Sequence, residues 1–140
     1  FLATGQFTIA NQKIVNAMKA AGVKRLIVAA GLGIEDEIPG KFGQWNRKMM
    51  GNDQNLKAAA KIIKKSGLDY TLMRMAWLYD CDGNEQYELI PQGKPFEDTQ
   101  LSRQGAARFV ADVVANPKLA AKESVGVAEP NTHWDKPSFY

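Results

Sequence analysis

The sequence holds one cysteine, Cys81, and one histidine, His133, among its 140 residues. A lone cysteine excludes an intrachain disulfide, and a reducing cytoplasm is the default expectation. A lone histidine gives little support to a two-histidine metal site or to a Ser-His-Asp triad; in the tail it reads as a solvated side chain, and no metal site is expected. No apolar run approaches the roughly 20 residues needed to cross a bilayer, so no membrane partner is expected. Excess charge of one sign is scarce as well. Eighteen basic and 15 acidic residues leave a net charge of +3. Only Lys61, Lys64 and Lys65 are bunched, on the outer face of an expected helix, which reads as a solvated surface rather than a nucleic-acid patch. Also missing is any Gly-x-Gly-x-x-Gly turn opening a first helix. The chain begins Phe-Leu-Ala-Thr-Gly with neither an initiator Met nor a signal-peptide pattern, like a strand end entered in mid-fold, so residues upstream of Phe1 are expected.

What is present is the alternation of strands and helices that builds a parallel sheet. Hydrophobic residues make up 45% of the chain, enough for one domain with a real core. Residues 25–30 read as a strand whose continuous apolar run, Leu26 to Ala30, ends in a turn with Gly31 and Gly33, and residues 70–75 form a second strand. Helices are predicted over 8–21, 54–65 and 102–115. Their buried faces are Ile14, Ala17, Met18 and Ala21; then Leu56, Ala59, Ala60 and Ile63; then Ala106, Phe109, Val110, Val113 and Val114. Asp53 and Ser102 are the expected N-caps of the second and third helices. Phe1 to Ala3 reads as a strand tail followed by a Thr4-Gly5 turn, 87–90 as a short strand, 124–128 as a last strand, and 130–140 as irregular. The right-handed crossover rule makes the first two strands parallel neighbours through the 54–65 helix. In such sheets ligands bind at the carboxyl ends of the strands, where Gly31 lies.

Residues 31–53 read as a long irregular stretch, broken by Pro39, Gly40, Gly43 and Gly51 but carrying Phe42, Trp45, Met49 and Met50. Two readings stand: a lid or binding loop, and an ordinary packed surface loop. Trp45, Trp77 and Trp134 likewise suit either a pocket wall or core packing. Cys81 lies between Asp80 and Asp82, whose negative charge raises a thiol pKa and argues against an activated nucleophile. Asp80, Asp82 and Glu85 lack the spacing of a calcium loop and read as a polar turn.

Taken together, the run Val-Lys-Arg-Leu-Ile into a glycine-containing turn, the Lys-bearing helix, and Ser66-Gly67-Leu68-Asp69-Tyr70-Thr71-Leu72-Met73-Arg74 resemble the back half of atypical short-chain dehydrogenases. The subgroup they resemble is the NmrA-like NAD(P)H-binding proteins, which include NAD(P)-dependent epimerases and oxidoreductases. Residues 33–43 and the ending from Glu129-Pro130-Asn131-Thr132 to Pro137 are similar to the same subgroup. The resemblance implies an α/β, Rossmann-like parallel sheet flanked by helices, lacking the N-terminal Gly-rich βαβ half. It implies NAD or NADP as cofactor, with the phosphate-binding turn outside this sequence. It places Ala30, Gly31, Leu32, Lys57, Met75, Ala76 and Trp77 on the nicotinamide side of the cleft, with Lys57 also the catalytic candidate. It further implies a homodimer through the helices at 8–21 and 54–65.

The chain departs from the Ser, Tyr and Lys of ordinary members. Ala30 and Gly31 replace the serines, Asp53 stands four residues before Lys57 where the Tyr is expected, and Met75 follows Arg74 where Pro is usual. Two functions are therefore expected as alternatives: an NAD(P)-dependent oxidoreductase or epimerase acting on a small molecule, and a non-catalytic NAD(P)-sensing regulator. Without a Gly-rich turn, these 140 residues alone should bind NAD(P) weakly, because backbone N–H groups and the helix dipole at that turn hold the pyrophosphate.

Overall fold

The computed structural model describes residue 1 and residues 7–140; the expected strand tail through Ala3 and the Thr4-Gly5 turn fall on residues 2–6, outside the described residues. Helix α1 (Thr8–Ala20) leads into strand β1 (Arg25–Gly31), followed by α2 (Gly40–Met50), α3 (Gln54–Lys64) and β2 (Asp69–Met75). Three short strands come next, β3 (Trp77–Tyr79), β4 (Glu88–Ile90) and β5 (Gln100–Ser102). Helix α4 (Arg103–Ala115) and strand β6 (Glu123–Ala128) complete the order.

The main sheet runs β1-β2-β6-β4. β1 and β2 pair in parallel from Arg25 opposite Asp69 to Gly31 opposite Met75, the neighbours expected from the crossover rule. β6 lies parallel to β2 on its other side. The expected parallel sheet is there, and β4 adds to it an antiparallel edge strand beside β6. It precedes β6 by a long excursion that includes α4 and so is free to enter from the opposite end. Strands β3 and β5 form a separate parallel pair.

Pleat alternation sorts the core into two layers. Leu26, Val28, Ala30 and Leu72 pack with Val15 of α1 and Ala60 and Ile63 of α3. Ile27, Met73, Val125 and Val127 pack with Phe109 and Val113 of α4. Ile63, at 0% exposure, illustrates the driving force, about 1.5–3 kcal/mol for a fully buried aliphatic side chain. On α1 the buried face differs from the predicted one: Asn11 and Val15 are buried, Ile14 and Met18 partly so, and Ala17 and Ala21 are exposed. Asn11 can sit there because its Nδ2 donates to the Ala59 carbonyl at 3.1 Å, locking α1 onto α3. Val114, placed on the inner face of α4 from sequence, is exposed.

Residues 40–50, predicted irregular, form α2. Phe42 and Asn46 are spaced i, i+4 and both are buried. Gly43, read as a breaker, sits where the helix presses on the preceding turn. A Cβ there would lie 2.2 Å from the Ile38 carbonyl oxygen. Gly51, with φ of 63°, ends the helix rather than preventing it. The predicted caps divide. Ser102 Oγ accepts from the Gly105 N–H at 2.8 Å, whereas Asp53 makes no capping bond. Asn52 Oδ1 accepts from the Gln54 N–H instead, and the Asp53 carboxylate turns to Lys57.

No helix among the described residues is long and apolar enough to cross a membrane.

Candidate functional site

At the carboxyl end of the parallel sheet, the chain leaves β1 and β2 side by side. The Leu32 N–H donates to the Met75 carbonyl at 3.2 Å, extending the ladder one residue past β1. The Ala76 N–H donates to the Val127 carbonyl at 3.0 Å, tying the end of β2 to β6. Between these strand ends lies a cleft of about 400 Å³. Ala30, Gly31, Leu32, Met75, Ala76 and Trp77 all line it, together with Met50 of α2 and Leu56 of α3. Its floor presents Gly31, and a Cβ built there would meet nothing within 4 Å. The arrangement offers ring-sized apolar space with little free hydrogen-bonding capacity, because the Leu32 and Ala76 peptide N–H groups are already used.

Trp77 is held in place by its surroundings. Its Nε1 donates to Asn46 Oδ1 of α2 at 2.9 Å. Trp45 meets it edge-on at 5.0 Å between ring centroids, and Tyr140 does so at 5.3 Å. The tail predicted irregular thus contains no regular element, yet it returns an aromatic ring to the cleft wall. Phe139 stacks on Tyr79 at 5.7 Å beside it. Asn46, Met50 and Leu56 were not among the sequence-predicted site residues. An amphipathic reading of 40–50 would have flagged Asn46 as a polar residue on the buried face.

Lys57 does not line this cleft. It faces an adjoining polar pocket with Asp36, Arg47 and Asp53, which shares Leu32, Met50 and Leu56 with the cleft. Its Nζ donates to Asp36 Oδ1 at 2.7 Å and lies 3.1 Å from Asp53 Oδ2. The hydrogen bonds to Asp36 and Asp53 raise its pKa above the ordinary lysine value, so it stays an ammonium. Asp53 occupies the place of the missing Tyr, and the ammonium is neutralised by carboxylates instead of lowering a phenol's pKa. No tyrosine or serine lines either space.

A buried ionic network fixes the turn that forms one wall. The Gly33 and Glu35 N–H groups each donate to the Glu37 carboxylate at 2.9 Å. Arg74, fully buried on β2, donates from Nη1 to Glu37 Oε1 at 2.8 Å and from Nη2 to the Ile90 carbonyl at 3.1 Å. Burial pushes the neighbouring Glu35 carboxyl up, but hydrogen bonds from Lys64 and Ser124 and the charge of Arg74 outweigh it, so its pKa ends below the usual value. Arg74 thereby connects the β2 strand to the turn that carries Leu32 and Gly33.

The remaining sequence candidates fall elsewhere. Cys81 is exposed. Asp80 pairs with Arg103 at 2.9 Å and Glu85 with Arg108 at 3.3 Å, as suits a polar turn. Trp134 lies apart from the aromatic cluster and is 45% exposed. His133 is exposed, as expected, and places Nε2 3.2 Å from the buried Asp98.

The profile of the NAD(P)H-binding family matches residues 2–117. No curated protein matches the chain. Among solved structures, it is similar to a short-chain dehydrogenase/reductase from Veillonella parvula determined in complex with NADP. The two share 30% identity and a TM-score of 0.93 over 98% of this chain and 65% of that one. A Rossmann-fold NAD(P)-binding family protein from Shigella flexneri is 33% identical with a TM-score of 0.76, over 100% of this chain and 62% of that one. ChuY, an anaerobillin reductase from Escherichia coli O157:H7, has a TM-score of 0.73 at 20% identity, over 94% of this chain and 61% of that one, a likeness of fold alone. The chain thus spans a little under two thirds of the length of these neighbours. From its matched profile and its sheet, the chain belongs to the NAD(P)H-binding family, with the Rossmann-like architecture of short-chain dehydrogenases/reductases.

Proposed function

We propose that the chain forms the nicotinamide side of an NAD(P)-dependent oxidoreductase or epimerase of the atypical, NmrA-like kind, acting on a small molecule. One observation carries the reading: Ala30, Gly31, Leu32, Met75, Ala76 and Trp77 converge on one apolar cleft at the ends of adjacent parallel strands. The cleft fits a flat, weakly polar ring, and the bare floor at Gly31 lets such a ring approach the backbone. It suits a pyrophosphate poorly, because the Leu32, Ala76 and Trp77 N–H groups at the strand ends are already engaged with backbone carbonyls. The nicotinamide supplies or accepts hydride when bound. This chain's residues orient the ring and exclude water, while the adjoining polar pocket with Arg47, Asn46 and Lys57 receives the polar part of the substrate. The NADP bound by the Veillonella protein supports a nicotinamide cofactor here, with NAD and NADP both compatible. Self-association through the outer faces of α1 and α3, and a cytoplasmic location, belong to the same proposal.

The second reading is a non-catalytic NAD(P)-sensing regulator. The pairing of Lys57 with Asp36 and Asp53 favours it, because a lysine so engaged no longer assists a proton donor. The test is substrate-dependent NADPH and NADH oxidation by the full-length protein over a panel of small aldehydes, ketones and nucleotide sugars. Turnover that follows one carbonyl class supports the enzyme. Saturable cofactor binding with no turnover across the panel supports the regulator and overturns the first reading.

A further inference from the structure

Away from the cleft, at the other edge of the sheet, three side chains distant in sequence meet. One carboxylate oxygen each of Glu88 and Asp98 and one ring nitrogen of His133 lie within 4.8 Å of one another. Asp98 is 2% exposed. Its Oδ1 accepts from the Thr132 N–H at 2.8 Å and from Thr132 Oγ1 at 3.3 Å. Thr99 fastens the same two segments, its N–H and Oγ1 both donating to the Thr132 carbonyl at 3.1 and 2.9 Å. The same oxygen lies 3.2 Å from His133 Nε2, so Thr132 fixes the carboxylate at the point where the histidine meets it.

The charge balance of this cluster is unusual. A carboxylate oxygen of Glu88 lies within 4.8 Å of one of the buried Asp98, a close approach of two like charges. Among the described residues no Lys or Arg pairs with either; the ion pair recorded for Asp98 is with His133. Buried carboxylates are ordinarily paired or bound to a cation. Two carboxylates gathered with an imidazole in so small a volume make a place for a cation.

We propose that Glu88, Asp98 and His133 form a binding site for a divalent cation of borderline softness, of the Zn²⁺ type. The ligand set is two oxygens and one imidazole, with open positions for water, a set suited to such ions. Zinc bonds of about 2.0–2.2 Å in tetrahedral geometry separate neighbouring ligand atoms by about 3.4 Å. The 3.2 Å between His133 Nε2 and Asp98 Oδ1 is close to that spacing. The Thr132 bonds to Asp98 are the kind of outer support that orients a ligating carboxylate. Sequence alone does not show the site, because its ligands come from β4, from the segment before β5 and from the tail. A cation there would tie β4 to the tail segment whose Tyr140 walls Trp77, bracing the cleft from a distance.

The test uses the full-length protein, stripped with chelator, titrated with Zn²⁺ by calorimetry and with Co²⁺ by visible absorption. The expected result is saturable one-to-one uptake. Glu88→Gln and His133→Ala should each weaken it by at least about tenfold, with circular dichroism unchanged. His133 is largely exposed, so its variant tests the ligand without threatening the core. Absence of saturable uptake, or equal affinity in both folded variants, would overturn the site.

Discussion

Gly31→Phe is expected to abolish nicotinamide cofactor binding while leaving the fold intact. A Cβ at Gly31 meets nothing within 4 Å, and the backbone there is ordinary strand, so a larger side chain enters open space without strain. That open space is the cleft itself. A phenyl group occupies the volume that the account reserves for the nicotinamide ring. Calorimetry on the full-length variant should show NADPH affinity lower by about 100-fold or more, equivalent to roughly 2.7 kcal/mol. Stability should move by less than about 1 kcal/mol, as for substitutions outside the packed core. Gly31→Ala is the control and should retain most of the affinity. A folded Gly31→Phe protein that binds NADPH normally would show that the ring lies elsewhere.

Arg74→Ala should be far more damaging to stability. The substitution leaves Glu37, 3% exposed, facing the interior without its cation, and removes the donor to the Ile90 carbonyl. Breaking a buried pair from one side costs about 3–5 kcal/mol, because the remaining charge is uncompensated. Against a typical domain stability of about 5–15 kcal/mol, that is a large fraction. Chemical denaturation would measure it, and a loss below about 1 kcal/mol would refute the role given to the network. Glu37→Gln should cost less, since an amide oxygen can still accept from the Gly33 N–H and from Arg74 Nη1, and Glu35 at 3.7 Å still offsets the guanidinium charge. Because Glu37 also fastens the Gly33 turn, Arg74→Ala should weaken cofactor binding as a secondary effect.

The parts legible in the sequence were those written in long periodic segments. The apolar run at 26–30 and the strand at 70–75 needed only residue type and the glycine turns that bound them. Their parallel pairing followed from the helix between them. Helix α2 was not legible because its glycines look like breakers until Ile38 is seen pressing against Gly43. The short strands β3 and β5 owe their existence to each other across more than 20 residues, and β4 to the edge of β6. Six of the seven residues placed at the nicotinamide side came from strand ends, which topology fixes, and these do converge on one cleft. Lys57 came from the family resemblance, as a lysine on the helix between the strands. Its fate depends on Asp36, which reaches it from a turn with φ of 57° that no local pattern announces. The bond from Trp77 to Asn46 and the return of Tyr140 are tertiary events of the same kind.

When cofactor binds, the nicotinamide ring is expected to rest in the cleft between the ends of β1 and β2. Methyl-labelled methionine makes it directly observable, because Met50 and Met75 line that cleft while Met18 packs with the α1 and α3 layer. The measurement is intermolecular NOE spectroscopy on the full-length protein saturated with NADPH. The account predicts cross-peaks from the nicotinamide ring protons to the Met50 and Met75 methyls and none to Met18. Ring-proton contacts to Met18, or saturable binding in which neither Met50 nor Met75 sees the ring, would contradict it.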